Sequence, residues 1–350
     1  MQTPDEIRVG LIGYGFSGAT FQAPLIKRVA GMRLAMVNSS NPDLVRRAFP
    51  GMAVVAQPIE LIESDEIDLV VIASTNTTHY PLAKQALLAG KHVVVEKPFT
   101  VTVQEAAELV DLAEQRRRVL SVFHNRRWDN DFLTLRQTLD SGLLGEVMTF
   151  ESHFDRYRPM VRQRWREQDL PGSGMLYDLG SHLIDQALTL FGSPDTVQCD
   201  LGIQRHGGMA DDFFHLVLRY GARRVILHSS MMAHHPGPRF LVHGEHGTFT
   251  KFGLDPQEAQ LLAGMDPSSP GWGVEAPDQH GMLSFSKGGL TFNGAVASMP
   301  GAYQRYYESM VAAITTGARA PVTGTEALAV IRVIGLALMS SEEGRVVVFE

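Results

Sequence analysis

The chain reads as an α/β protein in two parts. An N-terminal doubly wound parallel sheet is followed by an α+β part whose sheet is mainly antiparallel and open on one face. Three observations predict this. Short apolar runs alternate with helical patterns from Ile7 to Phe123, the pattern of repeated βα units. A glycine triplet, Gly13-Tyr14-Gly15-Phe16-Ser17-Gly18, lies between the first apolar run and the first helical pattern. From Val197 onward the apolar period drops to two, with hairpin-length gaps, so the later strands pair antiparallel. At 350 residues the chain exceeds one typical domain. The boundary is expected after His124, giving domains 1–124 and 125–350.

Ile7–Ile12 is the first strand, and the glycine turn follows it at once. Gly13 permits the tight turn, Gly15 lets the backbone approach a pyrophosphate, and Gly18 lets helix and strand pack closely. The helix expected over 19–29 then turns free N–H groups and a positive dipole end toward the phosphates. With Phe16 and Ser17, this loop is the expected dinucleotide cradle of a Rossmann-type sheet. The second strand, 34–37, ends where a carboxylate normally grips the ribose 2′-hydroxyl of NAD. Asn38, Ser39 and Ser40 stand there instead, with Arg46 and Arg47 beyond. Nothing there repels a 2′-phosphate, so NADP is the expected cofactor; the alternative is NAD with Asn38 on its ribose.

Ala53–Val55, a helix over 58–64 and a strand over 67–72 continue the alternation. The polar loop 73–79 then brings Ser74, Thr75, Asn76 and His79 to a strand's carboxyl end, which suits the pyrophosphate-to-nicotinamide stretch of a cofactor. Thr78 is the expected cap of a helix over 81–89. The run His92-Val93-Val94-Val95-Glu96-Lys97-Pro98 reads as a buried strand ending in Lys-Pro, which puts Lys97 where a ligand binds. The Lys97–Pro98 bond is expected to be cis. Val103–Arg116 and a strand over 119–123 complete this half.

Asn125 and Arg126, candidate substrate contacts, open a polar linker to a helix over 132–141, and an antiparallel strand is expected over 147–154. Arg156 and Tyr157 suit the hydroxyls of a polyol, or a solvated loop. The glycine-rich stretch 171–174 enters a helix on which Asp178, His182 and Asp185 fall at i, i+4 and i+7 and share a face. An imidazole beside a carboxylate is the make-up of a general base; the alternative is a pair that merely stabilises the helix. No third ligand lies nearby, and His234, His235, His243 and His246 show no recognised spacing, so no metal site is expected. Strands are expected over 197–203, 214–220, 224–228 and 240–242. One face of their sheet is taken by the Asp178 helix, and the other is expected to pair in a homodimer. The Pro- and Gly-rich stretch 253–300 is expected to be mostly loop, followed by helices over 303–316 and 326–340 and a last strand over 345–349.

A net charge of −7, with arginines spread among acidic residues, argues against a nucleic-acid surface. Cys199 is the sole cysteine, which excludes an intrachain disulfide framework or thiolate metal cluster. Residues 1–6 are acidic where a secretion signal is basic, and the apolar stretch 327–339 is interrupted by Arg332. A core helix rather than a membrane span, in a cytoplasmic protein, is the expectation.

The combination of Gly13-x-Gly15-x-x-Gly18, Glu96-Lys97-Pro98 and Asp178-x-x-x-His182 resembles the Gfo/Idh/MocA oxidoreductases, which include glucose–fructose oxidoreductase and inositol dehydrogenases. The likeness covers essentially the whole chain. Phe123-His124-Asn125-Arg126-Arg127-Trp128-Asp129 and Ser152-His153-Phe154-Asp155-Arg156 look like a bacterial subgroup containing NADP-dependent scyllo-inositol 2-dehydrogenases. The resemblance implies that Lys97 contacts the nicotinamide ribose and the reacting hydroxyl, that His182 takes the hydroxyl proton as hydride leaves, and that Asp178 orients the substrate. It places Glu96 near the cofactor and makes the open sheet face the dimer surface. The implied reaction is reversible oxidation of a secondary hydroxyl on a cyclic polyol or sugar. A cofactor-assisted lyase or glycosidase would use the same residues, and a non-catalytic dinucleotide sensor would keep only the glycine loop.

Overall fold

Six short strands form the first sheet of the computed structural model, which describes residues 6–349. They are β1 (Ile7–Ile12), β2 (Met32–Asn38), β3 (Ala53–Val55), β4 (Leu69–Ile72), β5 (His92–Val95) and β6 (Leu120–Val122). All pair parallel in the order β3-β2-β1-β4-β5-β6. Leu69, Val70, Val71 and Ile72, with Val93, Val94 and Val95, are wholly buried. Burial on both faces is what a parallel sheet covered by helices demands, and it explains why these strands read as unbroken apolar runs. Strand order reverses between β1 and β4, the switch point at which such sheets bind ligands.

The helices of this half are α1 (Ala23–Arg28), α2 (Pro42–Ala48), α3 (Pro58–Ile62), α4 (Asn76–Leu88) and α5 (Val103–Arg116). Their starts are written locally. Asn41 accepts from Leu44 N at the head of α2, and Thr102 with Glu105 forms a capping box on α5. Two starts differ from expectation. The helix after the glycines begins as a π turn, Gly18–Gln22, before α1. And α4 begins at Asn76 with Thr75 as its N-cap, so Thr78 lies inside it and donates back to Thr75 O at 2.7 Å. Pro81 sits within the helix rather than at its start.

The second sheet has nine strands: β7 (Val147–His153), β8 (Thr196–Gly202), β9 (Phe213–Tyr220), β10 (Arg223–Ser230), β11 (Phe240–Gly244), β12 (Gly247–Lys251), β13 (Gly281–Lys287), β14 (Leu290–Val296) and β15 (Val347–Val348). Their order is β14-β13-β12-β11-β7-β10-β9-β8-β15. Neighbours run antiparallel except β7 and β10, which are parallel, so β7 is antiparallel on one edge only. The β13–β14 hairpin and a short helix lie inside 253–300, where loop was expected. Leu290 and Phe292 on β14 do alternate in the sequence, but the prolines and glycines around them mask the strand, and its pairing with β13 defines it. Alternate residues, Phe150, Leu216, Leu218, Val225, Leu227, Val242 and Phe249, are buried on one face. On that side lie α6 (Asn130–Asp140) and α7 (Ser181–Phe191), with Phe191 edge-on to Phe150 at 5.3 Å.

By compactness the chain divides into two units that interleave. The first holds residues up to Asn125 together with 257–272 and 302–328; the second holds 126–256, 273–301 and 329–350. The late segments supply α8 (Gln257–Leu262) and α9 (Gln304–Thr316) to the first unit. Aromatic packing is the reason. Tyr303, Tyr306 and Tyr307 are fully buried, Tyr306 stands edge-on to Phe123 at 4.8 Å, and its hydroxyl donates to Ser121 Oγ at 2.7 Å. The last helix, α10 (Gly324–Glu343), is long and apolar enough to cross a membrane by length and composition. Yet Val330, Ile331, Ile334 and Ala337 are buried within the protein, and Ser340 and Ser341 accept from Cys199 N and Leu201 N of β8. The acidic start read over 1–6 lies, up to residue 5, outside the described residues.

Candidate active site

Four of the loops that leave the carboxyl ends of the parallel strands carry the candidate residues, and the three glycines of the first do three separate jobs. Gly13 has φ +92°, and a Cβ there would come 2.7 Å from Ala73 O. A Cβ on Gly18 would overlap Gly13 O, whereas a Cβ on Gly15 would meet nothing within 4 Å. Gly13 and Gly18 are therefore required by the protein itself. Gly15 is required by nothing in the protein, so its bareness fits a loop that a pyrophosphate approaches closely. Phe16 beside it is 60% exposed.

Glu96 organises the rest of this edge. Its Oε1 accepts from Ser17 Oγ and from Gln22 Nε2 (2.5 Å), and its Oε2 accepts from Lys97 N at 3.0 Å. Tyr307 Oη in turn donates to Gln22 Oε1. The carboxylate thus fastens the turn that follows the glycines to the end of β5, where Lys97 begins the cis Lys97–Pro98 step that the sequence predicts. His79 is fully buried beneath that step, with Nδ1 2.8 Å from Pro98 O and Nε2 3.4 Å from Ser74 O. It supports two loops rather than lining their surface. Ser74 Oγ lies 2.6 Å from Thr78 Oγ1, Thr75 is exposed, and Asn76 is buried at the first position of α4.

At the end of β2, Asn38 turns its amide to β3, donating to Val55 O and Ala56 O. Ser39 is buried and its Oγ accepts from Asn41 N; Ser40 is exposed. Arg46 pairs at 3.5 Å with Asp43, well out in solvent.

In the second unit, a π turn, Leu176–Gly180, leads into α7. Gly174 (φ +86°) has no room for a Cβ, which would overlap the Asp211 carboxylate; Asp211 Oδ2 accepts from Leu176 N at 2.8 Å. Burial pushes the Asp211 carboxyl up to about 6, against the pull of those backbone N–H groups. This brace fixes the entry to the π turn that carries Asp178, whose Oδ1 lies 3.6 Å from Arg166 Nε. His182 follows in the first turn of α7 and is 5% exposed. Asp185 is not free to join them, because it holds Arg127 through two bonds of 2.9 and 2.7 Å. The three-residue face expected from spacing is therefore two residues plus an ion pair.

Asn125 and Arg126 are both buried, the first at the end of the first unit and the second at the start of the next. Arg126 stacks on Phe154 at 4.9 Å and reaches Asp129 at 3.2 Å, and Arg156 stacks on the same ring at 4.9 Å. Tyr157 is half-exposed and packs edge-on to His234. Sequence reasoning took in Arg158 with Arg156 and Tyr157 but missed Arg166. Burial lowers the Arg158 guanidinium, and the nearby charges of Arg162 and Arg164 lower it further. The signal was present: Arg156, Arg158, Arg162, Arg164 and Arg166 crowd one short stretch.

Comparison with known proteins matches two successive stretches of the chain. Residues 7–124 match the model of the oxidoreductase family's NAD-binding Rossmann fold, and 136–349 match its C-terminal alpha/beta domain. The chain is 49% identical over 338 residues to the uncharacterized oxidoreductase YdgJ of Escherichia coli, covering 97% of each. It is 39% identical over 346 residues to the scyllo-inositol 2-dehydrogenase (NADP(+)) IolW of Bacillus subtilis, covering 99% of this chain and 97% of the other. The solved structure of the oxidoreductase yvaA from Bacillus subtilis superposes with a TM-score of 0.97 at 39% identity, covering the whole of both chains. With its glycine loop, its Glu-Lys-Pro strand end and both halves matched by one pair of domains, this chain belongs to the Gfo/Idh/MocA oxidoreductase family.

Proposed function

We propose that this protein is an NADP-preferring dehydrogenase that reversibly oxidises a secondary hydroxyl of an inositol-like cyclic polyol or sugar to a ketone. The observation that carries the reading is the Glu96 brace. It fastens the end of β5, where Lys97 follows, to the turn entered by the glycine loop, which supports a role for the Lys97 ammonium beside a bound dinucleotide. The likeness to IolW supports the substrate class and the cofactor. The end of β2, where Ser40 is exposed and Asn38, Ser39 and Ser40 stand in place of a carboxylate, supports the cofactor.

The bound nicotinamide supplies a hydride acceptor. The chain supplies the rest. Lys97 donates hydrogen bonds to the reacting oxygen and stabilises the negative charge that develops there. The His182 imidazole accepts the hydroxyl proton as the carbon loses its hydrogen, and returns it in the reverse direction. Asp178 orients the imidazole and a neighbouring hydroxyl, while Arg126 and Arg156, held flat on Phe154, bind further hydroxyls. Lys97→Ala and His182→Ala should each lower kcat by about 10²–10⁴-fold while NADPH binding, read by fluorescence titration, stays intact. Turnover within threefold of wild type for either variant would eliminate that residue's role.

The outer face of the second sheet carries half-buried Ile226, Val217 and Leu241, and a second copy of this chain is proposed to cover it. Sedimentation should give a dimer or a multiple of one; a monomer at micromolar concentration contradicts the assignment.

A further inference from the structure

We propose that His153, Asp155 and His228 bind one divalent transition-metal ion, best Zn²⁺, on the outer face of the second sheet. The site is on the opposite face from α7 and His182, so it does not depend on the proposed reaction. β7 and β10 are adjacent parallel strands, and their register sets His153 directly beside His228. Period two then turns Phe150, Ser152 and Leu227 to the buried face, leaving Glu151, His153 and His228 together on the other. Asp155 follows where β7 ends.

His153 Nδ1 is 3.7 Å from Asp155 Oδ2, and His228 Nε2 is 3.5 Å from Asp155 Oδ1. All three ligand atoms lie within 4.8 Å of one another. These separations are too long for good N–H···O hydrogen bonds. They are close to the spacing of about 3.3 Å between ligands that share a tetrahedral ion at roughly 2.0–2.1 Å bonds. A small contraction onto an ion satisfies both histidines and the carboxylate at once.

The surroundings orient each donor. Glu151 Oε2 lies 3.1 Å from His153 Nε2, which places the ring proton there and leaves the Nδ1 lone pair facing Asp155. An outer carboxylate on a metal-binding histidine is a recurrent arrangement. Ser230 N donates to Asp155 Oδ1 at 2.9 Å, and the His228 ring is held edge-on by Phe213 at 5.2 Å. Both imidazoles are 19% exposed in the single chain, so an ion can enter before the second copy proposed for this face docks, with a fourth position left for water. Two imidazoles and one carboxylate favour Zn²⁺ over Mg²⁺ or Ca²⁺. The ion would clamp β7 to β10, the parallel seam of an otherwise antiparallel sheet.

The test uses full-length protein without a polyhistidine tag, stripped with a chelator and dialysed against Zn²⁺. One zinc per chain should be retained, and Co²⁺ should give the intense visible bands of a four-coordinate ion. His228→Gln and Asp155→Asn should abolish stoichiometric retention, Glu151→Gln should weaken it by about 10–100-fold, and His243→Ala should leave it unchanged. Absence of stoichiometric metal in the wild type, or retention unaffected in both ligand variants, overturns the proposal. If a variant misfolds, judged by circular dichroism, the wild-type stoichiometry and Co²⁺ spectrum still decide.

Discussion

Gly15 and Gly18 lie three residues apart in one turn, yet the protein asks opposite things of them. Gly18→Ala drives a methyl into Gly13 O and should cost about 1–3 kcal/mol of stability, seen as a lowered thermal midpoint. Gly15→Ala meets open space, so it should change stability by under about 0.5 kcal/mol while weakening NADPH binding at least tenfold. Equal effects of the two substitutions on folding would contradict this division. These roles were legible in the sequence because they depend on a few neighbouring residues. The part played by Glu96 was not, since its network reaches Ser17, Gln22 and, through Gln22, Tyr307, far along the chain. The contacts of His79 and Asn38 were hidden for the same reason. A polar side chain in a loop at a strand's end looks available to a ligand until the fold shows which backbone carbonyls it already serves.

The strands β4 and β5 were readable as elements because their burial on both faces writes unbroken apolar runs. Elements whose partners lie elsewhere were less so. β14 carries alternating Leu290 and Phe292 but lies in a Pro- and Gly-rich stretch and is defined by its pairing with β13, and the π turn before α7 leaves no mark in residue spacing. β5 also carries a pH-dependent contact. His92 Nδ1 accepts from Val119 N at 3.0 Å, and burial, aided by the charge of Arg118, pulls its pKa down to about 4. The unfolded chain binds a proton there near pH 6.5 and the folded chain only near 4, so this group makes stability fall as pH drops through that window. The full effect is on the order of 3 kcal/mol at most. Asp211, raised to about 6, acts with the opposite sign between about 4 and 6, so the raw profile is not diagnostic. The difference between wild type and His92→Asn, which keeps an acceptor without the titration, isolates it: the wild type should lose stability relative to the variant between pH 6.5 and 4. Parallel curves would show that His92 does not titrate as described.

At the scale of the molecule, two sheets and their order in the chain were foreseen, but a cut after residue 124 describes only the first crossing. Compactness returns 257–272 and 302–328 to the first unit, because three buried tyrosines pack against Phe21, Phe123 and Gln22. The proposed reaction assigns Lys97 and His182 to one hydroxyl. The most direct measurement follows NADPH absorbance while purified protein is offered inositols and aldoses with NADP or NAD. The account predicts that scyllo-inositol or a close relative yields one NADPH per ketone formed, with kcat/KM higher for NADP than for NAD. Product formed with no net change in bulk cofactor, or a full panel that leaves both cofactors unreduced, would contradict it.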